Sequence, residues 1–133
     1  GHAVYAARDP RVLDAMARSG VTVECALTCN VLLGATASYE EHPIRQLIAH
    51  GLPVTLNTDD PVRVGTTIGR EYAIAAALCF SPAELRGFTH NAVRASFTTA
   101  ERRAAPLSEL AAAERERPAQ DELSGEVLHG RYH

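Results

Sequence analysis

Two apolar runs, "VTVECAL" over residues 21–27 and "LPVTLNT" over residues 52–58, each follow a helix-like segment that closes on a glycine. The first of these segments is "DPRVLDAMARS", 9–19, ending at Gly20; the second runs from about Pro43 to His50 and ends at Gly51. Asp9 suits a helix N-cap and Pro10 the first helical position, and residues 12, 13, 16 and 17 form an apolar stripe. Ile44, Leu47 and Ile48 would share a face in the second helix, and glycine is the expected stop for both. The β-branched runs read as strands, and their lack of strict alternation predicts burial on both faces. Helices alternating with such strands imply a parallel sheet covered by helices. A third strand ending at Gly1-His2 is a further expectation, residues 28–40 read as a loop, and helical segments are expected at 67–79, from Ser81-Pro82 to about 97, and over 99–116 with an interruption at Pro106. The polar stretch from Glu114 on reads as a linker or disordered end, so the expected division is 1–113 and 114–133.

The chain of 133 residues is 46% hydrophobic and carries a net charge of −3, enough apolar content for one core and no basic patch for nucleic acid. No apolar run reaches the ~18 residues of a membrane span, and the start lacks the pattern of a secretory signal. Three cysteines, Cys25, Cys29 and Cys79, do not make a disulfide framework and fit a cytoplasmic setting as buried, inert thiols. Cys25 and Cys29 have no second Cys/His pair to complete a zinc knuckle.

In parallel α/β architectures, chemistry collects at the carboxyl ends of strands. Three polar groups fall there: His2, the segment Thr28 to Asn30, and the pair Asp59-Asp60 before Pro61. Adjacent carboxylates admit two readings. One is a turn, for which Asn57, Thr58 and Asp-Asp-Pro are suitable. The other is a metal ligand beside a hydrogen-bonding carboxylate, the cation removing the cost of like charges. His2 is either a plain terminal histidine or a base or electrostatic stabiliser beside a metal-activated water. His42, before Pro43, is expected to help start a helix; His50, His90, His129 and His133 read as solvated or structural. Glu71-Tyr72 reads as a packing and solvent-facing pair.

Over residues 1–110 the ordered set "GHAVY", "CALTCN", "EHPIRQLIAHGLPVTLNTDDP", "EYAIAAA" and "SPAELRGFTHNAVRASF" resembles the carboxyl-terminal part of the adenosine deaminase family. The resemblance implies an α/β fold, the carboxyl-terminal portion of a (β/α)8 TIM-type barrel, and zinc-dependent hydrolytic deamination of adenosine or a related adenine-containing compound. It implies that His2 orients the attacking water, that Asp59 binds zinc and contacts that water, and that Asp60 hydrogen-bonds a purine ring nitrogen. Water would add at purine C6 and ammonia would leave. Ala3 stands where the family usually has glycine, and "CALTCN" departs from the family's "CPTSN"-like stretch, with Cys29 in place of serine. Altered purine selectivity is therefore open, and 6-aminodeoxyfutalosine or adenine is an alternative substrate.

The family's His-x-His zinc ligands, later zinc histidine and general-acid glutamate precede the Gly-His and are not in this sequence. The implied partners are a purine nucleoside or base and the N-terminal part of the same barrel, in the same or a separate chain, with no nucleic acid and no membrane. Exposed barrel edges leave a homo-oligomer open. Two other readings stand beside the enzyme: a non-catalytic remnant that binds a partner, and an unrelated α/β domain with an acidic turn.

Overall fold

The computed structural model describes residues 1–116. The chain divides into two compact units, Gly1–Ala95 and the segment from Ser96 on.

In the first unit, a 3-10 turn at Tyr5–Arg8 leads into α1, Pro10–Arg18. Asp9 caps α1 by accepting from the Arg11 amide at 3.0 Å, and Gly20 takes φ +68° just beyond it. β1, Val23–Cys25, is followed by α2, Leu27–Leu32, then α3, Ile44–Ala49, and β2, Val54–Leu56. Three more helices complete the unit: α4 at Pro61–Val64, α5 at Ile68–Ala77 and α6 at Pro82–Ala95.

The two strands pair in parallel, Val23 opposite Val54 and Cys25 opposite Leu56, as expected for a helix-linked crossover. Each has only three residues, because the chain turns into α2 at Leu27 and into the polar turn after Leu56. No third strand forms among the described residues, although the Glu24 amide donates to the Gly1 carbonyl at 3.3 Å and lays the chain's start along β1. β2 is buried throughout, whereas β1 alternates, with Glu24 exposed between buried Val23 and Cys25. The expectation of burial on both faces therefore holds for β2 alone.

Leu13 of α1, Ile44 and Leu47 of α3, Ala75 of α5 and Phe88 of α6 pack against Val23, Cys25, Val54 and Leu56 in one core. Ile48 is 37% exposed and does not join Ile44 and Leu47. The Phe80 and Phe88 rings meet edge to face with centroids 5.3 Å apart. Ser81 and Glu84 form a capping box at the start of α6: the Glu84 amide donates to Ser81 Oγ at 3.1 Å and the Ser81 amide to the Glu84 carboxylate at 2.6 Å. All three cysteines are free; Cys25 and Cys29 are buried, but Cys79 is exposed, contrary to the sequence expectation. Burial pushes the Cys25 thiol up to about 12, which keeps it protonated and inert.

In the second unit, α7, Ala100–Glu116, begins beneath Thr99, whose hydroxyl accepts from the Arg102 amide. Pro106 lies inside this helix without ending it. The expected boundary near Glu114 thus falls within α7, and residues 117–133 of the expected polar tail lie outside the described residues. No helix among the described residues is long and apolar enough to cross a membrane.

Candidate active site

Beyond the carboxyl end of β2 the chain turns sharply. Asp59 adopts φ +59°, a left-handed conformation that costs a non-glycine residue about 1–2 kcal/mol. Asp60 returns to an extended φ of −111° and becomes the N-cap of α4, with Pro61 at the first helical position. Two adjacent carboxylates are thereby sent different ways. Asp60 Oδ1 accepts from the Arg63 amide at 3.2 Å, and its Oδ2 lies 3.6 Å from the Arg63 guanidinium. The turn chemistry read from "DDP" is realised here, in Asp60.

Asp59 meets His2 and the Thr28–Asn30 segment. Its Oδ2 accepts from the Cys29 thiol at 3.1 Å and lies 3.7 Å from His2 Nε2. Its Oδ1 has no hydrogen bond among the described residues. Burial, with the Asp59 carboxylate next, pushes the Cys29 thiol up to about 11, so at neutral pH it serves as a proton donor to that carboxylate. His2, Asp59, Glu24, Ala26, Leu56, Asn57, Thr58 and Ile68 line an open pocket of about 470 Å³. Asp60 does not line it.

His2 is steered from behind. Its Nδ1 lies 3.0 Å from the Asn30 side-chain amide nitrogen, and Asn30 Oδ1 lies 2.9 Å from His42 Nε2. His42 Nδ1 accepts from the Ile44 amide at 3.1 Å, so His42 does start α3 as expected, and also reaches the site through Asn30. Burial holds the His42 ring down at about 4, hence neutral; Glu71 opposes this shift and His2 adds to it.

Sequence reasoning missed two parts of this assembly. Residues 27–32 are helical instead of looped, and this places Cys29 and Asn30 on consecutive positions facing Asp59 and His2. Glu71 is completely buried: its carboxylate accepts from the Thr28 amide at 3.2 Å, from the Thr28 hydroxyl, and from the Thr66 hydroxyl at 2.8 Å. It is neither solvent-facing nor a mere packing residue, and its surroundings in "EYAIAAA" gave no periodicity signal. Tyr72 is half-buried and bonds Thr89 through its hydroxyl at 2.6 Å.

A parallel strand pair packed against helices, with polar residues gathered beyond the strands, fits a segment of a β/α barrel. The chain is 27% identical to the crystal structure of an adenine deaminase from Arthrobacter aurescens, with a TM-score of 0.80 over 86% of this chain and 35% of that one. An amidohydrolase from Burkholderia ambifaria shares the fold at a TM-score of 0.72 and 21% identity, over 96% of this chain and 35% of the other. The fold is the carboxyl-terminal portion of a (β/α)8 barrel.

The adenosine deaminase family model matches residues 1–113, and the chain belongs to the adenosine deaminase family. It is 36% identical over 113 residues to the adenosine deaminase of Erwinia tasmaniensis, covering 84% of this chain and 34% of that protein. It is also 36% identical over 111 residues to the aminodeoxyfutalosine deaminase of Streptomyces avermitilis, covering 83% of this chain and 31% of that protein. The chain thus spans about a third of the length of the curated relatives it matches.

Proposed function

We propose that this chain forms the carboxyl-terminal part of a zinc-dependent aminohydrolase that replaces the 6-amino group of an adenine-containing compound with oxygen, releasing ammonia. The observation that carries this reading is the state of Asp59. It is held in a strained backbone conformation at a strand end, one oxygen is engaged by Cys29 and faces His2, and the other oxygen is open. Backbone strain clusters at functional sites, and the half-exposed Asp59 carboxylate leaves Oδ1 free to take a ligand.

Among the described residues no group of three or more His, Cys, Asp or Glu side chains is placed to hold a metal ion. Zinc takes about three protein ligands at a catalytic site, so Asp59 fits as one carboxylate ligand and the rest of the barrel supplies the others. When bound, the metal activates a water and polarises the centre it attacks. This chain's own part is to orient. Asp59 offers Oδ1 to the metal while the Cys29 thiol holds its other oxygen, which faces His2 at 3.7 Å. His2 lines the same pocket and positions the attacking water by hydrogen bonding. Asp60 is not saturated by its bond from the Arg63 amide, and its role in the proposed reaction is a hydrogen bond to a purine ring nitrogen. The substrate class is a purine with an exocyclic 6-amino group: adenosine, adenine or 6-aminodeoxyfutalosine. The two named relatives are equally similar and do not rank these. The free cysteines suit the reducing cytoplasm.

The test is metal content and ammonia release with those three substrates, in the protein with its complete barrel. Asp59→Ala should abolish activity and lower zinc content, with little loss of folding. Asp60→Asn should raise KM and leave zinc in place. Near wild-type turnover in Asp59→Ala would remove the assignment, as would a complete barrel that binds no zinc.

A further inference from the structure

We propose that His42, acting through Asn30, is a positioning residue that fixes the tautomer of His2 so that its Nε2 proton points at Asp59. The polarity of the whole relay follows from one group that cannot reverse. A backbone amide only donates, so the bond from the Ile44 amide leaves His42 Nδ1 as an acceptor. The neutral His42 ring then carries its proton on Nε2, 2.9 Å from Asn30 Oδ1, which accepts it. That contact orients the Asn30 side chain and turns its NH2 toward His2 Nδ1, 3.0 Å away. His2 Nδ1 therefore accepts, and a neutral His2 bears its proton on Nε2, 3.7 Å from Asp59 Oδ2.

Burial makes the relay rigid. His42 is 5% exposed and Asn30 4% exposed, so neither exchanges these partners for bulk water. Asn30 is also held by its backbone: its amide donates to Ala26 at 2.9 Å, and its carbonyl accepts from the Ala35 amide at 2.9 Å. His2, by contrast, is partly open to the pocket, and without the relay its two tautomers would compete. The consequence for the proposed reaction, on which this inference rests only for its functional arm, is that neutral His2 meets the site as a hydrogen-bond donor through Nε2.

The experiment is long-range 1H–15N correlation of 15N-histidine-labelled full chain at pH 8, with the His2 signals identified by their loss in His2→Gln. The wild type should show an unprotonated Nδ1 and a protonated Nε2 for His2. His42→Asn retains an acceptor for the Ile44 amide but is too short to reach Asn30; it should give a mixture of His2 tautomers. His42→Gln, which can place an NH2 near the position of Nε2, should restore the wild-type pattern. Asn30→Asp presents an acceptor to His2 and should move its proton onto Nδ1. A wild-type His2 protonated on Nδ1 overturns the proposal even if no variant folds, as do unchanged His2 signals in folded His42→Asn and Asn30→Asp. In the complete enzyme His42→Asn should lower kcat about 10-fold with little change in KM. An altered tautomer without deaminase activity would leave the relay standing and count against the proposed function instead.

Discussion

Glu71 accepts two hydrogen bonds from Thr28, a residue 43 positions earlier in the chain, one from its backbone amide and one from its hydroxyl. Ala26, the residue at the N-cap of α2, has no side chain with which to cap it, so the buried carboxylate of a distant helix does so. The Thr66 hydroxyl adds a third donor from the segment before α5, and the Tyr39 hydroxyl reaches Thr28 Oγ1 at 3.3 Å. One carboxylate of α5 thus ties α2, which bears Cys29 and Asn30, to the segment between α4 and α5.

Removing that carboxylate leaves the buried Thr28 amide and hydroxyl without an acceptor, and leaves the Thr66 hydroxyl only the long contact to the Thr67 carbonyl at 3.4 Å. Hydrogen bonds to a charged group contribute ~1.5–3 kcal/mol each, and unsatisfied donors add their desolvation cost. Glu71→Ala should therefore destabilise the fold by about 3 kcal/mol or more, read as a lower urea midpoint with the slope unchanged. A loss below about 1 kcal/mol would show that water replaces the carboxylate at no cost.

His42 gives the fold a pH dependence of definite sign. Its folded value, about 4, lies below the 6.5 of an unperturbed histidine. Above pH 6.5 neither state binds the proton and the group contributes no slope. As pH falls below that value the unfolded chain takes up a proton that the folded chain refuses, so stability falls with pH until about 4. The total for this one group is at most about 3 kcal/mol. Denaturation midpoints measured from pH 7 to 4.5 should decline less steeply in His42→Gln than in the wild type.

Ala3 sits at φ +53°, directly after His2. A Cβ in the left-handed region costs about 1 kcal/mol, and glycine removes that strain while adding freedom to the unfolded chain. Ala3→Gly should leave stability unchanged or raise it by up to ~1 kcal/mol, whereas Ala3→Val should lower it by more than that. Thermal melts of the two variants separate these outcomes; equal losses in both would place the strain elsewhere.

The Cys29 thiol donates to Asp59 Oδ2, which serine would also do from a shorter, stronger donor. Cys29→Ser should keep Asp59 in place and retain zinc affinity in the complete barrel. Cys29→Ala should weaken zinc binding about 10-fold or more, since partners that orient a metal ligand contribute at that level. Isothermal titration with zinc distinguishes the two, and equal affinity in both variants would show that the thiol does not orient Asp59.

The sequence by itself determined the local chemistry. Asp9-Pro10 and Ser81-Pro82 mark helix starts, Gly20 and Gly51 mark stops, and "VTL" forms a buried strand, because caps, left-handed glycines and β-branched runs act within a few residues. It also placed Asn30 and the aspartates just beyond strands, where parallel topology collects polar groups, although the strand expected before His2 does not form among the described residues. Tertiary structure decided what each of them does. The separation of Asp59 from Asp60 depends on a single left-handed residue, and a dipeptide of identical side chains carries no mark of that. The first turn of α2 is capped by Glu71 across 43 positions, beyond the reach of any local pattern. His42 joins the site through Asn30 because burial leaves its second nitrogen no other partner, and burial is a property of the packed core alone.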